Sequence, residues 1–207
     1  MSIAAQPSLS ANDRSAGVPN DFIWRLSVDQ YHEMIRSGIL TDDDPVELLE
    51  GWLVFKMGKN PPHVLATRLT REALERLLPS GWFIALQDPI TTDTSEPEPD
   101  AAVVRGNPRL YFARHPSPEE VALVVEIAEA TLRRDVELKS RIYAASGIPV
   151  YWIVNLPEKQ LEVYTNPSGP TEQPAYRQRQ VYGVGDQVLV VIDGHDVGQV
   201  PVKDLLP

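Results

Sequence analysis

The chain contains no cysteine among its 207 residues. This absence excludes disulfides and thiolate metal sites, although it leaves the redox compartment open. No segment approaches the run of roughly 20 apolar residues that spans a bilayer, and the first residues lack the basic and apolar regions of a signal peptide. We therefore expect a soluble, cytoplasmic protein that has no contact with a membrane.

Basic residues are also scarce. The 19 Lys and Arg residues stand against 29 Asp and Glu residues, which gives a formal net charge of −10. This balance argues against a protein that coats nucleic acid without sequence preference, because phosphate contacts come from clustered Lys and Arg. It does not exclude a nucleic-acid enzyme, since a metal site needs a local excess of carboxylate.

The order of sequence patterns predicts one domain behind a tail. Residues 1–21 are rich in Ser, Ala and Pro without periodicity, which predicts a flexible tail, and residues 22–207 then form a single domain. A helix begins after Ser27, a hairpin turns at Gly51, and a helix, three strands, a second helix and further strands follow. The apolar run VALVVEIA, residues 121–128, is typical of a central strand buried on both faces. The pattern predicts an α/β fold with a mixed α+β sheet.

Glu126 lies inside that apolar strand, although ionised carboxylates are costly to bury without a partner. Three explanations remain open. The carboxylate pairs with a core cation such as Arg68 or Lys139, it lies at the end of the strand, or it binds a metal cation.

The stretch EPEPDAAVV, residues 96–104, places a second carboxylate, Asp100, at the start of another strand that could lie beside Glu126. Two adjacent carboxylates repel each other unless a proton or a metal lies between them. Such oxygen ligands suit Mg²⁺ or Mn²⁺ with several waters retained. Lys139, on the following helix, could orient or deprotonate an attacking water or stabilise negative charge. These three residues indicate metal-dependent hydrolysis of a phosphodiester.

Three segments, SEPEPDAAVVRG, LVVEIAEATLRRDVELKSRIYAASGIPVYWIVNL and DDDPVELLEGWLVFKM, resemble the Uma-two family of restriction-endonuclease-like proteins in the PD-(D/E)xK nuclease superfamily. The resemblance covers about residues 22–165. It implies a restriction-endonuclease-like αβββαβ core over about residues 61–165, with an N-terminal helix and hairpin extension and extra C-terminal strands. In such a core the acidic strand ends converge on a divalent metal.

The resemblance also assigns residues. Pro99 and Asp100 match the PD of the motif, and Glu126 matches the second acid. The superfamily lysine would fall at Ala128, but this family carries it on the following helix, where Lys139 stands. The resemblance therefore implies Asp100 and Glu126 as metal ligands and Lys139 as the third catalytic residue. Possible accessory residues are Glu47, His63 and Glu129, the last of which replaces the aspartate that relatives usually carry.

Several acidic and imidazole side chains have ordinary structural explanations as well. Glu47 is more often a surface residue than a site residue, and His63 in the first turn of a helix often caps or packs. Glu96 and Glu98 are interpreted as solvated loop charges. For Lys139 the alternative is an exposed helix residue.

The sequence leaves three functions to compare. The first is a Mg²⁺- or Mn²⁺-dependent endonuclease that hydrolyses DNA phosphodiester bonds, as a homodimer that brings two sites to two strands. Arg133, Arg134 and Arg141 are weak candidates for DNA phosphate contacts, and they are equally consistent with a solvated helix face. The second is a catalytically degenerate nuclease fold that acts as a dimeric binding or scaffolding module. A glycosidase with paired carboxylates is a weaker third possibility, because no aromatic-lined acidic cleft is evident.

Overall fold

The structure is a computed structural model that describes residues 23–129 and 135–207, with the side chain of Asp135 left out. The α-helices in these ranges are Val28–Arg36 (α1), Pro61–Glu75 (α2) and Ser140–Ala145 (α3), and a π-helical turn, Asp135–Lys139, precedes α3. The strands are Val46–Leu49 (β1), Trp52–Phe55 (β2), Trp82–Ala85 (β3), Ala101–Arg105 (β4), Val121–Ala128 (β5), Val150–Asn155 (β6), Gln160–Pro167 (β7), Tyr176–Gly183 (β8), Gln187–Ile192 (β9) and His195–Pro201 (β10). The tail at residues 1–21 lies outside the described residues.

A six-stranded sheet carries the fold, with the strand order β3-β4-β5-β6-β7-β8. The β5–β6 pair is parallel and the other neighbours are antiparallel. The helical segment that ends in α3 makes the crossover between β5 and β6, as a parallel pair requires. Every residue of β5 is buried. The predicted mixed sheet with a doubly buried central strand is therefore confirmed.

One face of this sheet packs against α2 and the β9–β10 hairpin. The core on this side joins Ala66 and Leu74 of α2 to Val103, Val125 and Trp152 of the sheet. The hydrophobic pattern predicts that Leu69 faces the core, but Leu69 is half-buried. Thr67 and Thr70 lie on the buried face of α2 instead. The buried stripe is rotated toward these threonines.

The opposite face of the sheet packs against α3 and the segment that precedes β4. Its core contains Ile90, Val124, Tyr143, Ile148 and Tyr151. Because side chains alternate along a strand, Glu126 points to the same face as Val124. The acidic residue therefore lies under the helical segment that follows its own strand.

The β1–β2 hairpin is tied to the edge of this second layer. Glu50 and Gly51 both have positive φ, as a two-residue type I′ turn requires, and Leu48 forms an isolated antiparallel bridge with Glu96. The Ser27 capping box predicted for α1 is present. No helix within residues 23–129 and 135–207 is long and apolar enough to cross a membrane.

Candidate active site

Asp100 and Glu126 come together because β4 and β5 are neighbours. Ala101 pairs with Val125 in the antiparallel register, so Asp100 stands beside the carboxyl-terminal half of β5. Its Oδ2 accepts a hydrogen bond from the backbone N–H of Ile127 at 2.8 Å. The adjacency that the sequence predicts for the two acids is therefore present.

Glu126 is 4% exposed and lies well inside its strand, beside Ile153 of β6. Its Oε1 accepts hydrogen bonds from Lys139 Nζ at 2.8 Å and from the Tyr143 hydroxyl at 3.0 Å. Among the open explanations, the ion pair with Lys139 is therefore present, whereas Arg68 is an exposed residue of α2. Burial, and then the negative charge of Glu126, raise the pKa of Tyr143 well above its ordinary value. The hydroxyl consequently stays protonated and donates to the carboxylate.

Lys139 is a buried residue with 2% exposure, so its interpretation as an exposed helix residue is wrong. Its Nζ lies 2.8 Å from Glu126 and 3.2 Å from Oε2 of Glu47. The π-helical turn packs over the sheet face that carries Glu126, which brings the lysine back onto the strand. Helical periodicity alone does not locate this contact.

Glu47 is likewise buried, with 1% exposure, and the preference for a surface position is wrong. The side chain accepts a hydrogen bond from the backbone N–H of Glu98 at 3.1 Å. Leu48 on the same strand bridges to Glu96, and this contact turns Glu47 inward toward the lysine. The hairpin therefore contributes a third carboxylate to the site.

Glu96 and Glu98 are not solvated loop charges, and that expectation is also wrong. Glu96 is 2% exposed and contacts His32 Nε2 at 2.6 Å, and Glu98 pairs with Lys56 Nζ at 2.9 Å. The alternation of acids at 96, 98 and 100 is visible in the sequence, but the structure places Glu98 and Asp100 at the cavity and Glu96 against His32. Burial, and then the carboxylates of Glu98, Glu96 and Glu47, raise the pKa of Tyr31 to about 12.

His63 is placed against Asp100 by the first turn of α2. Its Nε2 lies 3.1 Å from Asp100 Oδ2, while Asn60 rather than His63 caps the helix. The other ring nitrogen, Nδ1, is buried without a hydrogen-bond partner. The second Asp100 oxygen, Oδ1, lies 3.9 Å from Lys59 Nζ, beyond hydrogen-bond distance. Lys59 is a site residue that the sequence reasoning missed.

The remaining candidate residues, Glu129 and the three arginines, differ in where they lie relative to the cavity. Glu129 accepts a short hydrogen bond from the Asn60 side chain and reaches the cavity. Arg141 instead forms an ion pair with Glu50 at 2.8 Å and lines a different pocket, so the structure does not bring it to Asp100. Arg133 and Arg134 lie outside the described residues.

These groups line a cavity of about 120 Å³. The volume is below the roughly 300 Å³ at which small-molecule pockets begin. The charged residues of the wall are Glu47, Glu98, Asp100, Glu126 and Glu129, and Lys56, Lys59 and Lys139.

The donor chemistry of this wall fits a divalent cation. Five carboxylates face three ammonium groups, and the formal excess of two negative charges matches one such ion. No group of three or more His, Asp or Glu side chains in the described ranges is arranged to hold a metal. Mg²⁺ is commonly held by one or two carboxylates together with waters and substrate phosphate. A site in which the protein supplies two carboxylate ligands is consistent with this mode of Mg²⁺ binding.

Comparison with known families gives a match over residues 28–192 to the Uma2 family, described as "Putative restriction endonuclease". The chain belongs to this family. The crystal structure of a "putative nuclease belonging to DUF820 from Anabaena variabilis ATCC 29413" is similar to this chain, with a TM-score of 0.62, 15% identity, and coverage of 87% of this chain and 97% of that chain. No curated protein matches.

Membership in the Uma2 family confirms the resemblance seen in the sequence. At 15% identity the Anabaena structure shows a shared fold alone. The αβββαβ order is present as α2, β3, β4, β5, the helical segment that ends in α3, and β6, so the restriction-endonuclease-like core is confirmed. Family and fold together support a nuclease-like function.

Proposed function

We propose that this Uma2 protein is an endonuclease that hydrolyses phosphodiester bonds in DNA with Mg²⁺ or Mn²⁺ as cofactor. The observation that carries the proposal is the convergence of Asp100 and Glu126, from adjacent strands, in one small acidic cavity beside a buried lysine. Restriction-endonuclease-like enzymes generally use divalent metals.

Asp100 and Glu126 would hold the cation. A divalent ion bound there supplies Lewis-acid activation of the phosphodiester and lowers the pKa of water. His63 and the Ile127 N–H both engage Oδ2 of Asp100, so they orient the carboxylate and leave Oδ1 for the ligand. This orientation stabilises the site before substrate arrives.

Lys139 and Lys59 have separate tasks in this proposal. Lys139 is held between Glu126 and Glu47, where its ammonium stabilises negative charge that develops on the phosphate. Lys59 stands at the mouth, half exposed and close to Asp100, where it attracts a phosphate oxygen. Glu47 acts through Lys139 as a positioning residue.

The first test is calorimetric titration of Mn²⁺ into the wild type, Asp100→Ala and Glu126→Ala, with the exposed Glu158→Ala as the matched control. We expect saturable binding by the wild type and the control, and loss of binding in both site variants. Circular dichroism checks that the variants are folded.

The second test is cleavage of plasmid and linear DNA with Mg²⁺ or Mn²⁺. Asp100→Ala is expected to abolish cleavage while remaining folded. A fully active Asp100→Ala protein would remove Asp100 from the mechanism, and a wild type that binds Mn²⁺ but cleaves no DNA would refute the DNA substrate.

A specific observation favours a second candidate, a catalytically degenerate nuclease fold that works as a dimeric binding module. The ammonium of Lys139 already pairs with both Glu126 and Glu47, which would allow the cavity to persist without a metal. The edge strand β8 is mostly exposed, and an exposed edge offers pairing to a second copy. Sedimentation analysis distinguishes the two candidates when combined with titration: a stable dimer without Mn²⁺ binding supports the module.

A further inference from the structure

A second pocket, of about 590 Å³, opens between α1 and residues 111–117. Its volume lies in the usual range of ligand sites. The lining consists of His32, Ile35, Arg36, Thr91, Tyr111, Phe112, Ala113, Arg114, His115 and Ser117. None of the roles proposed above uses this pocket, which we name the aromatic pocket.

Planar side chains dominate its wall. Phe112 is 94% exposed, so its ring is accessible to a ligand. The Arg114 guanidinium lies 5.2 Å from the centre of the Tyr111 ring, and the rings of His32 and His115 lie 6.4 Å apart. Aromatic rings and arginine planes are the surfaces on which unpaired nucleobases stack.

The pocket is held in place by buried and paired carboxylates beneath and beside it. Glu96 accepts hydrogen bonds from Thr91 Oγ1 at 2.7 Å and contacts His32 at 2.6 Å. Arg114 forms a two-point ion pair with Glu120, with both distances at 2.6 Å. These contacts fix the planar groups before a ligand arrives, which lowers the entropy lost on binding.

The polar character of the wall suits an anionic rather than a cationic ligand. The lining includes Arg36 and Arg114 but no Asp or Glu. Both arginines already pair with a neighbouring carboxylate, Glu33 and Glu120 respectively. The pocket therefore offers stacking surfaces and N–H donors, and it carries little net positive charge. Stacking surfaces together with N–H donors are what a base and its phosphate require.

The aromatic pocket is linked to the active-site cavity by one short extended segment. Glu96 anchors its floor and Asp100 lines the cavity. Asp100 lies four positions after Glu96 in the sequence, so their Cα atoms are at most about 14 Å apart. A few nucleotides of a strand whose phosphate lies at Asp100 would span that distance.

We propose that the aromatic pocket binds an unpaired base of the DNA strand whose backbone is cut at Asp100. The inference rests on the proposed nuclease function. Phe112 and Tyr111 stack on the base, the hydroxyl oxygens of Thr91 and Ser117 accept hydrogen bonds from its edge, and Arg36 and Arg114 donate to the neighbouring phosphate. The protein thereby favours single-stranded or locally opened DNA over a continuous duplex.

The test is fluorescence anisotropy of a labelled single-stranded oligonucleotide in EDTA, so that binding is measured apart from cleavage. Phe112→Ala is expected to weaken affinity by about tenfold or more, the effect of losing one stacking partner. The matched control is Leu110→Ala, an exposed residue of the same loop outside the pocket. Arg36→Ala is expected to weaken binding, whereas Arg71→Ala, which breaks an equivalent exposed Arg–Glu pair on α2, is not.

Two further titrations distinguish binding of an unpaired base in a strand from binding of a free nucleotide or of duplex DNA. The mononucleotide dAMP and a duplex of the same sequence are titrated in parallel, and binding that favours the single strand supports the proposal. Unchanged affinity in Phe112→Ala overturns it. If DNA is cleaved with Mn²⁺ but binding does not depend on Phe112, the proposed role of the aromatic pocket is refuted and the nuclease function stands. Phe112-dependent binding without cleavage refutes the nuclease function alone.

Discussion

Lys139 is the side chain on which the electrostatics of the cavity depend most. It lies between the buried carboxylates Glu126 and Glu47, at 2.8 and 3.2 Å. Removing one partner of a buried ion pair leaves uncompensated charge and costs about 3–5 kcal/mol. The lysine therefore contributes to stability as well as to the proposed chemistry.

Replacing Lys139 by Met is expected to lower the free energy of unfolding by about 3–5 kcal/mol, because two buried acids lose their shared cation. A divalent ion can take over part of that role, so we expect Mn²⁺ to raise the melting temperature of Lys139→Met more than that of the wild type. Thermal denaturation with and without Mn²⁺ measures both effects. Lys203→Met, at an exposed position, is the control, and an identical response to Mn²⁺ in all three proteins would contradict the idea.

Glu162 shows a different arrangement, in which a buried acid outside the cavity is held by an ion pair with Arg179 and by hydrogen bonds from uncharged side chains. Burial raises the pKa of its carboxyl, but hydrogen bonds from Tyr164, Asn155 and Arg179 outweigh burial and lower the pKa below its usual 4.5. The donors come from β6, β7 and β8. This residue joins three strands at one edge of the sheet.

A carboxyl whose pKa is lowered in the folded state stabilises the protein above its unfolded pKa and loses that contribution as pH falls through the folded value. Glu162→Gln is therefore expected to be less stable than the wild type at pH 7. The difference should shrink as pH falls below about 4.5. Urea denaturation at a series of pH values measures it. A difference that stays constant from pH 7 to pH 3 would show that the charge is unimportant.

The β1–β2 hairpin brings Glu47 into the site, and its turn depends on one glycine. Gly51 has φ +80°, and a Cβ there would lie 2.6 Å from the Arg25 Cβ and 2.9 Å from the Leu26 carbonyl oxygen. The backbone of the segment before α1 therefore passes too close for any side chain.

Gly51→Ala is expected to destabilise the protein by about 1–3 kcal/mol from backbone strain, with displacement of the hairpin. Because Glu47 moves with the hairpin, Mn²⁺ affinity should fall as well. The control is Gly185→Ala, outside the cavity, where an added Cβ meets no atom within 4 Å. Equal melting temperatures of the two variants would contradict the clash.

The molecule as a whole is expected to be one domain over residues 22–207. The C-terminal hairpin supports this expectation, because its side chains complete the core under α2. The buried apolar residues contributed by this region are Val188, Val190, Ile192, Val200, Val202 and Leu205. Removing them would expose the face of the sheet opposite Glu126.

A chain truncated after Asp186 is expected not to fold. Six buried aliphatic side chains are worth roughly 9–18 kcal/mol at about 1.5–3 kcal/mol each, which matches or exceeds the usual total stability of about 5–15 kcal/mol. Circular dichroism and calorimetry of the truncated and full-length chains test this. A folded truncated protein, or two separate unfolding transitions in the full chain, would contradict the single-domain expectation.

Periodicity and a few special residues were enough to predict the order of elements and the position of Glu126 in a buried strand, whereas the assignment of Asp100 as a metal ligand came from the family resemblance. Apart from Glu126, β5 is apolar throughout, which favours a buried strand, and an acid within it needed a partner wherever it lay. Asp100 directly precedes β4, so strand pairing alone brought it beside Glu126. These features are local, and local patterns are visible in one sequence.

The burial of Glu47, Glu96 and Lys139 was decided by tertiary structure. Each comes from a different element, and its surroundings depend on how a hairpin, an extended segment and a helical turn pack on the same sheet face. The partner of a charged side chain lies far away along the chain, as Glu47 does from Lys139, and loop closure over that distance leaves no periodic signal. The sequence therefore determined which residues carry charge and which strands are buried, and only packing decided which charges meet.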